Sequence, residues 1–276
     1  MNTVPILSEM FIYPVKSLAG IAVDEWPVVA TGLLYDRQWM LIDEQQQFLS
    51  QRQLPQMALI QTALNEECLI LSAPSMPSLS LPLLPELGHS LKVQIWQDYC
   101  VAHSVSRQAD EWFSQYLGRE CQLVYQTTDC QRSVDANYAL ATDQVSWADG
   151  FPFLVISEAS LAALNAAMNL RLSMQRFRPN LVIAHCHSYA EDYWRQIQIG
   201  AIEFRLPKAC SRCAVPAIDP ETGRIDKEPL ATLNRLRKWQ NKVYFGQNAL
   251  HNQPGILRVG DRVIVKEIGD PQPALS

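Results

Sequence analysis

The chain has 276 residues, 48% hydrophobic and 18% charged, with a formal net charge of −5. That is globular composition, long enough for one or two domains and a sizeable core without disulfide or metal staples. The acidic balance argues against a general nucleic-acid binder, and no apolar run approaches the ~18 residues of a membrane-spanning helix. The opening Met1-Asn2-Thr3-Val4-Pro5 lacks the basic and apolar stretches of a signal peptide. The sequence thus reads as a soluble cytoplasmic protein with neither nucleic-acid nor membrane partners. Its seven cysteines, Cys68, Cys100, Cys121, Cys130, Cys186, Cys210 and Cys213, are odd in number and scattered, which is no disulfide framework.

The first hundred residues read as short strands: Met10–Tyr13, Ile21–Val23, Trp39–Ile42, Met57–Ile60, Cys68–Leu71 and Leu91–Trp96. Their spacing suggests a small barrel or sandwich. Pro74, Pro77, Pro82 and Pro85 mark a loop or an edge. After Ser104 the pattern turns helical. Ala109, Trp112, Phe113, Tyr116 and Leu117 repeat behind Ser104 or Ser106 as N-cap, and Gly118 stops the run. A second helix starts at Ser157 with Leu161, Leu164 and Met168 on one face, and a third lies near Glu228–Lys238. Strand-like runs follow at Leu181–Ile183, Ile197–Ile199, Ile202–Arg205, Ile256–Val259 and Arg262–Val265. Without regular βα alternation, Gly-x-Gly-x-x-Gly or a P-loop, nucleotide folds have no support. The fold class is mainly β with helical insertions.

The sharpest local feature is Lys208-Ala209-Cys210-Ser211-Arg212-Cys213. Neighbouring cations depress a cysteine's pKa, making a thiolate available as nucleophile or soft metal ligand. Three readings compete for this spacing. Pro207 and Pro216 fit poorly with the helix a thioredoxin-like pair needs. A structural zinc would have to draw its remaining donors from His185-Cys186-His187. One thiolate can instead bind a transition metal or carry sulfur while the other cysteine is structural. Charge favours this last reading, because residues 170–213 hold seven Lys/Arg against three acids. Within Arg176-Phe177-Arg178-Pro179-Asn180, extended geometry puts both arginines on one face, suited to a phosphate or carboxylate. Lys16-Ser17 ends a strand, where side chains can turn into a cleft, and Tyr35-Asp36-Arg37 reads as a turn with an ion pair.

Taken together, these segments resemble the MOSC family, the molybdenum-cofactor sulfurase C-terminal domain proteins with their N-terminal β-barrel companion. The resemblance runs through Tyr13-Pro14-Val15-Lys16-Ser17, Asp36-Arg37-Gln38-Trp39, Asp149-Gly150-Phe151-Pro152-Phe153 and Ser157-Glu158-Ala159-Ser160-Leu161. It continues through Arg176–Asn180, Glu191-Asp192-Tyr193-Trp194, Cys210–Cys213, Phe245-Gly246-Gln247-Asn248 and Gly255–Asp261. Bacterial N-hydroxylated-base reductases and mitochondrial amidoxime-reducing components are branches that the chain resembles.

The resemblance implies a MOSC N-terminal β-barrel domain over 1–104, a MOSC domain over 105–269 and a tail over 270–276. It implies the molybdenum cofactor (Mo-molybdopterin), with Cys213 as the metal's protein ligand and a catalytic residue, and Arg212 as a second. Lys16, Ser17, Arg37, Arg178, Asn180, Ser211, Arg212 and Asn248 then hold the pterin and its phosphate, although Asn248 stands where some relatives carry Tyr. Gly150-Phe151 likewise replaces hydroxyl residues of some relatives. The chain has no length for a fused ferredoxin domain and no plant-type iron–sulfur spacing, so electrons are expected from a separate donor protein. Pyridoxal phosphate, associated with fused sulfurases, belongs there to another domain. The activity implied is reduction of small N-hydroxylated substrates, hydroxylaminopurine-like compounds or amidoximes. The alternatives are sulfur transfer through a cysteine persulfide and a cofactor carrier without turnover. Lys16, Arg37, Arg178 and Cys213 are expected around one open, cationic pocket poor in buried acids.

Overall fold

A computed structural model of the chain describes residues 4–127 and 130–274. Strands dominate, and three α-helices interrupt them among the described residues. None of these helices is long and apolar enough to cross a membrane. The largest sheet runs Val263–Ile268, Trp194–Ile199, Ile202–Ser211, Lys242–His251, Phe153–Ser157, Leu181–Ala184, Ile6–Ile12 and Ile21–Ala22, with Lys238–Trp239 paired to Lys242–His251 off that path. Its neighbours are antiparallel except Phe153–Ser157 beside Leu181–Ala184. That parallel pair needs a crossover, which carries helix Glu158–Met168. A second sheet orders Trp39–Ile42, Gln122–Tyr125, Asp98–Ser104 and Ser90–Ile95, and two three-stranded sheets complete the β-structure.

Two main cores fill these sheets. One packs Trp39, Leu41, Leu69, Leu71, Phe113 and Leu123; the other packs Leu7, Phe153, Val155, Ile183, Ile197 and Phe204. The division expected at Ser104 cuts through the first. Helix Arg107–Leu117 buries Ala109, Trp112, Phe113 and Leu117 in that core, and Gln122–Tyr125 zips onto Trp39–Ile42. Packing therefore carries the first unit through Tyr125. The first strand, Ile6–Ile12, does the opposite and pairs with Leu181–Ala184 in the large sheet.

The capping signals work as expected. Ser106 accepts from the Ala109 amide, Gly118 closes that helix at φ 67°, and Ser157 accepts from the Ser160 amide. Three local expectations fail. Met57–Ile60 is no strand: Pro55 opens a 3₁₀ turn over Pro55–Leu59 that buries Met57 and Ala58. The third helix is shorter, Leu230–Leu236, because Pro229 precedes it and Lys238–Trp239 is already a strand. Finally, Arg176 and Arg178 do not share an extended face. Met174–Phe177 is a 3₁₀ turn, Arg178 is left-handed at φ 57°, and Arg176 turns away to Asp219.

Candidate functional site: a cationic cleft lined by Cys213

Two backbone stitches build one wall of the cleft. The Lys16 amide donates to Trp39 O and the Arg37 amide to Tyr13 O, each at 2.8 Å. Asp36 accepts from the Tyr13 amide at 2.8 Å, tying the turn at 36–37 to the end of the first strand. Ser17, Arg37 and Arg178 all adopt left-handed backbone, at φ 70°, 51° and 57°. Such conformations are costly for non-glycine residues and persist where surrounding structure enforces them. Further lining comes from Ala148–Phe151, Phe177, Arg178, Asn180, Cys210, Arg212, Cys213 and Asn248.

Lys16, Ser17, Arg37, Arg178, Asn180, Arg212, Cys213 and Asn248 line this single cleft of ≈130 Å³. Ser211 faces instead the larger adjoining chamber of ≈690 Å³, which shares Arg52, Asp149, Gly150, Phe151, Arg212 and Cys213 with the cleft. Tyr13 packs against two of the lining arginines. Arg37 and Arg178 both set their guanidinium carbons against its ring, 4.3 and 4.2 Å from the centroid. The Tyr13 hydroxyl donates to Pro179 O at 3.1 Å, and burial holds that phenol far above its ordinary pKa despite the two arginines. The approach of Gly20 is so close that an added Cβ would lie 2.4 Å from this ring.

Each polar side chain has a distinct task. Asn180 is fully buried and used internally: its oxygen accepts from Arg37 Nη1 at 3.1 Å and its amide donates to Phe11 O at 3.2 Å. It positions Arg37 rather than offering a free group. Arg178 Nη1 donates to Leu18 O at 2.6 Å. Burial, then the like charge of Arg37, pulls Arg178 down to about 10. Arg212 donates to Cys210 Sγ at 3.0 Å and to Phe177 O at 2.7 Å, while its buried Nε has no partner. Asn248 donates to Ala209 O at 3.4 Å. Neither Arg178 nor Arg212 has a carboxylate within salt-bridge distance among the described residues. Half-buried cations left uncompensated invite an anion.

The cleft is poor in buried acids, as expected: Asp149, its side chain 62% exposed, is the one acid among the described lining residues. Asp36 is buried against Arg37, and Asp149 holds Lys16 Nζ at 2.6 Å, with Trp147 O accepting from the same ammonium at 2.8 Å. Burial pulls Lys16 down to about 8 against that pairing, whereas Lys16 keeps the Asp149 carboxyl well below the usual range against partial desolvation. Cationic neighbours do not depress Cys210: burial pushes its thiol up, although Arg212 pulls the other way. Two of the seven cations in the basic stripe over 170–213 are neutralised elsewhere, since Arg176 pairs with Asp219 and Arg205 with Asp143. The zinc reading fails for want of donors, because no trio of His, Cys, Asp or Glu converges among the described residues.

Arg52 and Arg132 were not visible as site residues in the sequence. Arg52 stacks 4.3 Å from the centre of Trp96, and Arg132 donates to Ser146 O and Asp149 O, each at 3.1 Å. No motif surrounds either one. A lone arginine in a strand-and-turn context carries no periodic signal.

Residues 4–120 match the MOSC N-terminal beta barrel domain and residues 142–264 match the MOSC domain. The mitochondrial amidoxime-reducing component 1 of Mus musculus is 35% identical over 95% of this chain and 83% of that protein. The mitochondrial amidoxime reducing component 2 of Bos taurus is 34% identical over 95% of this chain and 84% of its own length. A molybdenum cofactor sulfurase of Oryza sativa subsp. japonica is 32% identical over 87% of this chain, which spans 32% of that longer protein. With both of its domains matched in order, and with relatives similar along nearly its full length, the chain belongs to the MOSC family.

Proposed function

We propose that the chain binds the molybdenum cofactor through Cys213 and reduces small N-hydroxylated compounds with electrons from a separate donor protein. The observation that carries this reading is the pair of cleft-lining thiols, Cys210 tied to Arg212 and Cys213 left to ligate, beside two half-buried guanidinium groups without carboxylates among the described residues, one of them with an unpartnered Nε. A lone thiol cannot make a closed metal site by itself. It suits a metal that arrives with its own sulfur ligands, and the free cations suit the phosphate such a group brings. The residues present fit the cofactor.

When bound, the cofactor supplies a two-electron reduction that converts N–OH, with two protons, to N–H and water. The chain's own residues bind and orient. Cys213 is the soft donor to the metal. Arg178, held over Tyr13, and Arg212, anchored on Phe177 O, face the phosphate and pterin, with Ser17, Ser211 and Asn248 as neutral partners. Arg37 and Asn180 brace Arg178's backbone segment, since Arg37 Nη2 donates to Arg178 O at 3.4 Å. Lys16 keeps its proton on Nζ at neutral pH and fixes the Asp149 side of the opening.

The experiment is metal and pterin analysis of protein made in cofactor-competent cells, followed by turnover of benzamidoxime with a chemical reductant. One molybdenum and one pterin per chain, with benzamidine formed, is the expected result. Metal-free protein carrying a cyanide-labile sulfur would overturn it in favour of sulfur transfer, and loaded protein without turnover would leave only a carrier.

A further inference from the structure

Beyond the inner cleft, the ≈690 Å³ chamber has a size ordinary for small-molecule sites. If the inner cleft holds the cofactor, as proposed above, the body of the substrate occupies this chamber. Its lining is not neutral. Of its carboxylates, Asp98 is taken by Arg132 at 2.7 Å and Asp149 by Lys16 at 2.6 Å, while Asp135 accepts from the Asn137 side chain at 2.8 Å. Arg52, Lys208 and Lys242 also line it, and none has a carboxylate partner among the described residues.

The same wall is aromatic. Trp96 is 40% exposed and stacks with Arg52 at 4.3 Å. Lys208 Nζ sits 4.2 Å from the Tyr138 ring centre and 6.0 Å from that of Phe151. A planar ring finds flat partners here, and an oxyanion finds spare ammonium and guanidinium groups at its edge. We propose that this chamber selects N-hydroxylated substrates whose ring carries an anionic oxygen group, a carboxylate or a phosphate. Lys208 and Lys242 set that preference, with Arg52 and Trp96 holding the ring.

The test measures binding calorimetrically on the cofactor-loaded protein without an electron donor, so that no turnover intervenes. Two matched pairs separate the sources of charge: 4-carboxybenzamidoxime against benzamidoxime, and N4-hydroxycytidine 5′-monophosphate against its nucleoside. At least one anionic member is expected to bind roughly three- to tenfold tighter, the range for one or two half-exposed ion pairs. The pair with the larger gain identifies the group. The preference should shrink in the exposed Lys242→Gln variant, shrink further with Lys208→Gln added, and weaken with salt. Equal affinities in both pairs, or a preference untouched by the double substitution, would overturn the assignment. The two readings fail separately: a lysine-dependent preference without any turnover removes the reductase reading alone, and turnover without preference removes only this one.

Discussion

The guanidinium of Arg212 donates to Cys210 Sγ across 3.0 Å, while Cys213 lines both the cleft and the outer chamber. The two cysteines therefore have different duties. Cys213→Ser is expected to abolish reduction of N-hydroxylated compounds and deplete molybdenum. Cys210→Ser should retain a measurable share, because a hydroxyl still accepts from Arg212. Cys210→Ala removes an acceptor from a charged donor, a bond of about 1.5–3 kcal/mol, so its rate should fall roughly tenfold or more below that of the Ser variant. Turnover and metal content of the three variants check this order. Equal loss in all three would contradict it.

Lys16 supplies a pH prediction. Burial, with Arg132 and Arg37 pushing the same way, brings it to about 8, and Asp149 alone holds its proton on. Raising pH through 8 therefore breaks the Lys16–Asp149 pair, and the rate should show an alkaline limb there. Asp149→Asn removes the group that resists deprotonation, so the limb should move to lower pH. Stability has the opposite sign: between about 8 and ~10.4 the unfolded chain binds the extra proton, and this group's contribution rises with pH. Thermal melts across pH 8–9 thus separate loss of the pair from unfolding. A limb that stays put in Asp149→Asn would rule Lys16 out as its source.

Arg178 tests the anion site. Its guanidinium is half-buried, stacked on Tyr13 and crowded by Arg37, so a bound phosphate relieves a like-charge contact. Arg178→Ala should lower cofactor affinity about ten- to hundredfold, and Arg178→Lys less, since Lys keeps charge but loses the planar fork. Molybdenum and pterin content after dialysis reads the difference. Unchanged content in Arg178→Ala would move the anion site to Arg212.

Arg132 holds the outer chamber's rim. It reaches Asp98 Oδ2 at 2.7 Å and the carbonyls of Ser146, Ala148 and Asp149. Arg132→Ala strands these acceptors and should cost about 3 kcal/mol in urea unfolding. Arg132→Lys should recover little, because one ammonium cannot span them. A loss below ~0.5 kcal/mol, the scale of ordinary surface substitutions, would show that the rim stands without it.

Much of the fold was legible because its signals are local. Ser106, Ser157 and Gly118 act within one helical turn of themselves, so their sequence context is their physical context. Met57–Ile60 failed because a short apolar run looks alike in a strand and in a buried turn, and Pro55 decided between them. At the site, the residues proposed for cofactor binding line one cleft, except Ser211 in the adjoining chamber, but their partners stayed hidden. Lys16 meets Asp149 from 133 positions away, and Arg37 meets Asn180 from 143. Nothing in the spacing of Arg176 and Arg178 showed that a left-handed Arg178 would part them.

The first strand of the chain pairs with Leu181–Ala184. During synthesis at about 5–20 residues per second, Ile6–Ile12 waits roughly ten to thirty-five seconds before that partner has been made. For that interval Leu7, Met10 and Ile12, all buried in the finished protein, belong to a strand without its long neighbour. An unpaired apolar edge is what aggregation templates on, so the nascent chain is most exposed to chaperones in this window. Lys16 and Arg37 cannot meet Arg178 and Cys213 any earlier. The cleft comes into being only after the segment carrying Asn248 has been made, and whatever fills it has to arrive after that.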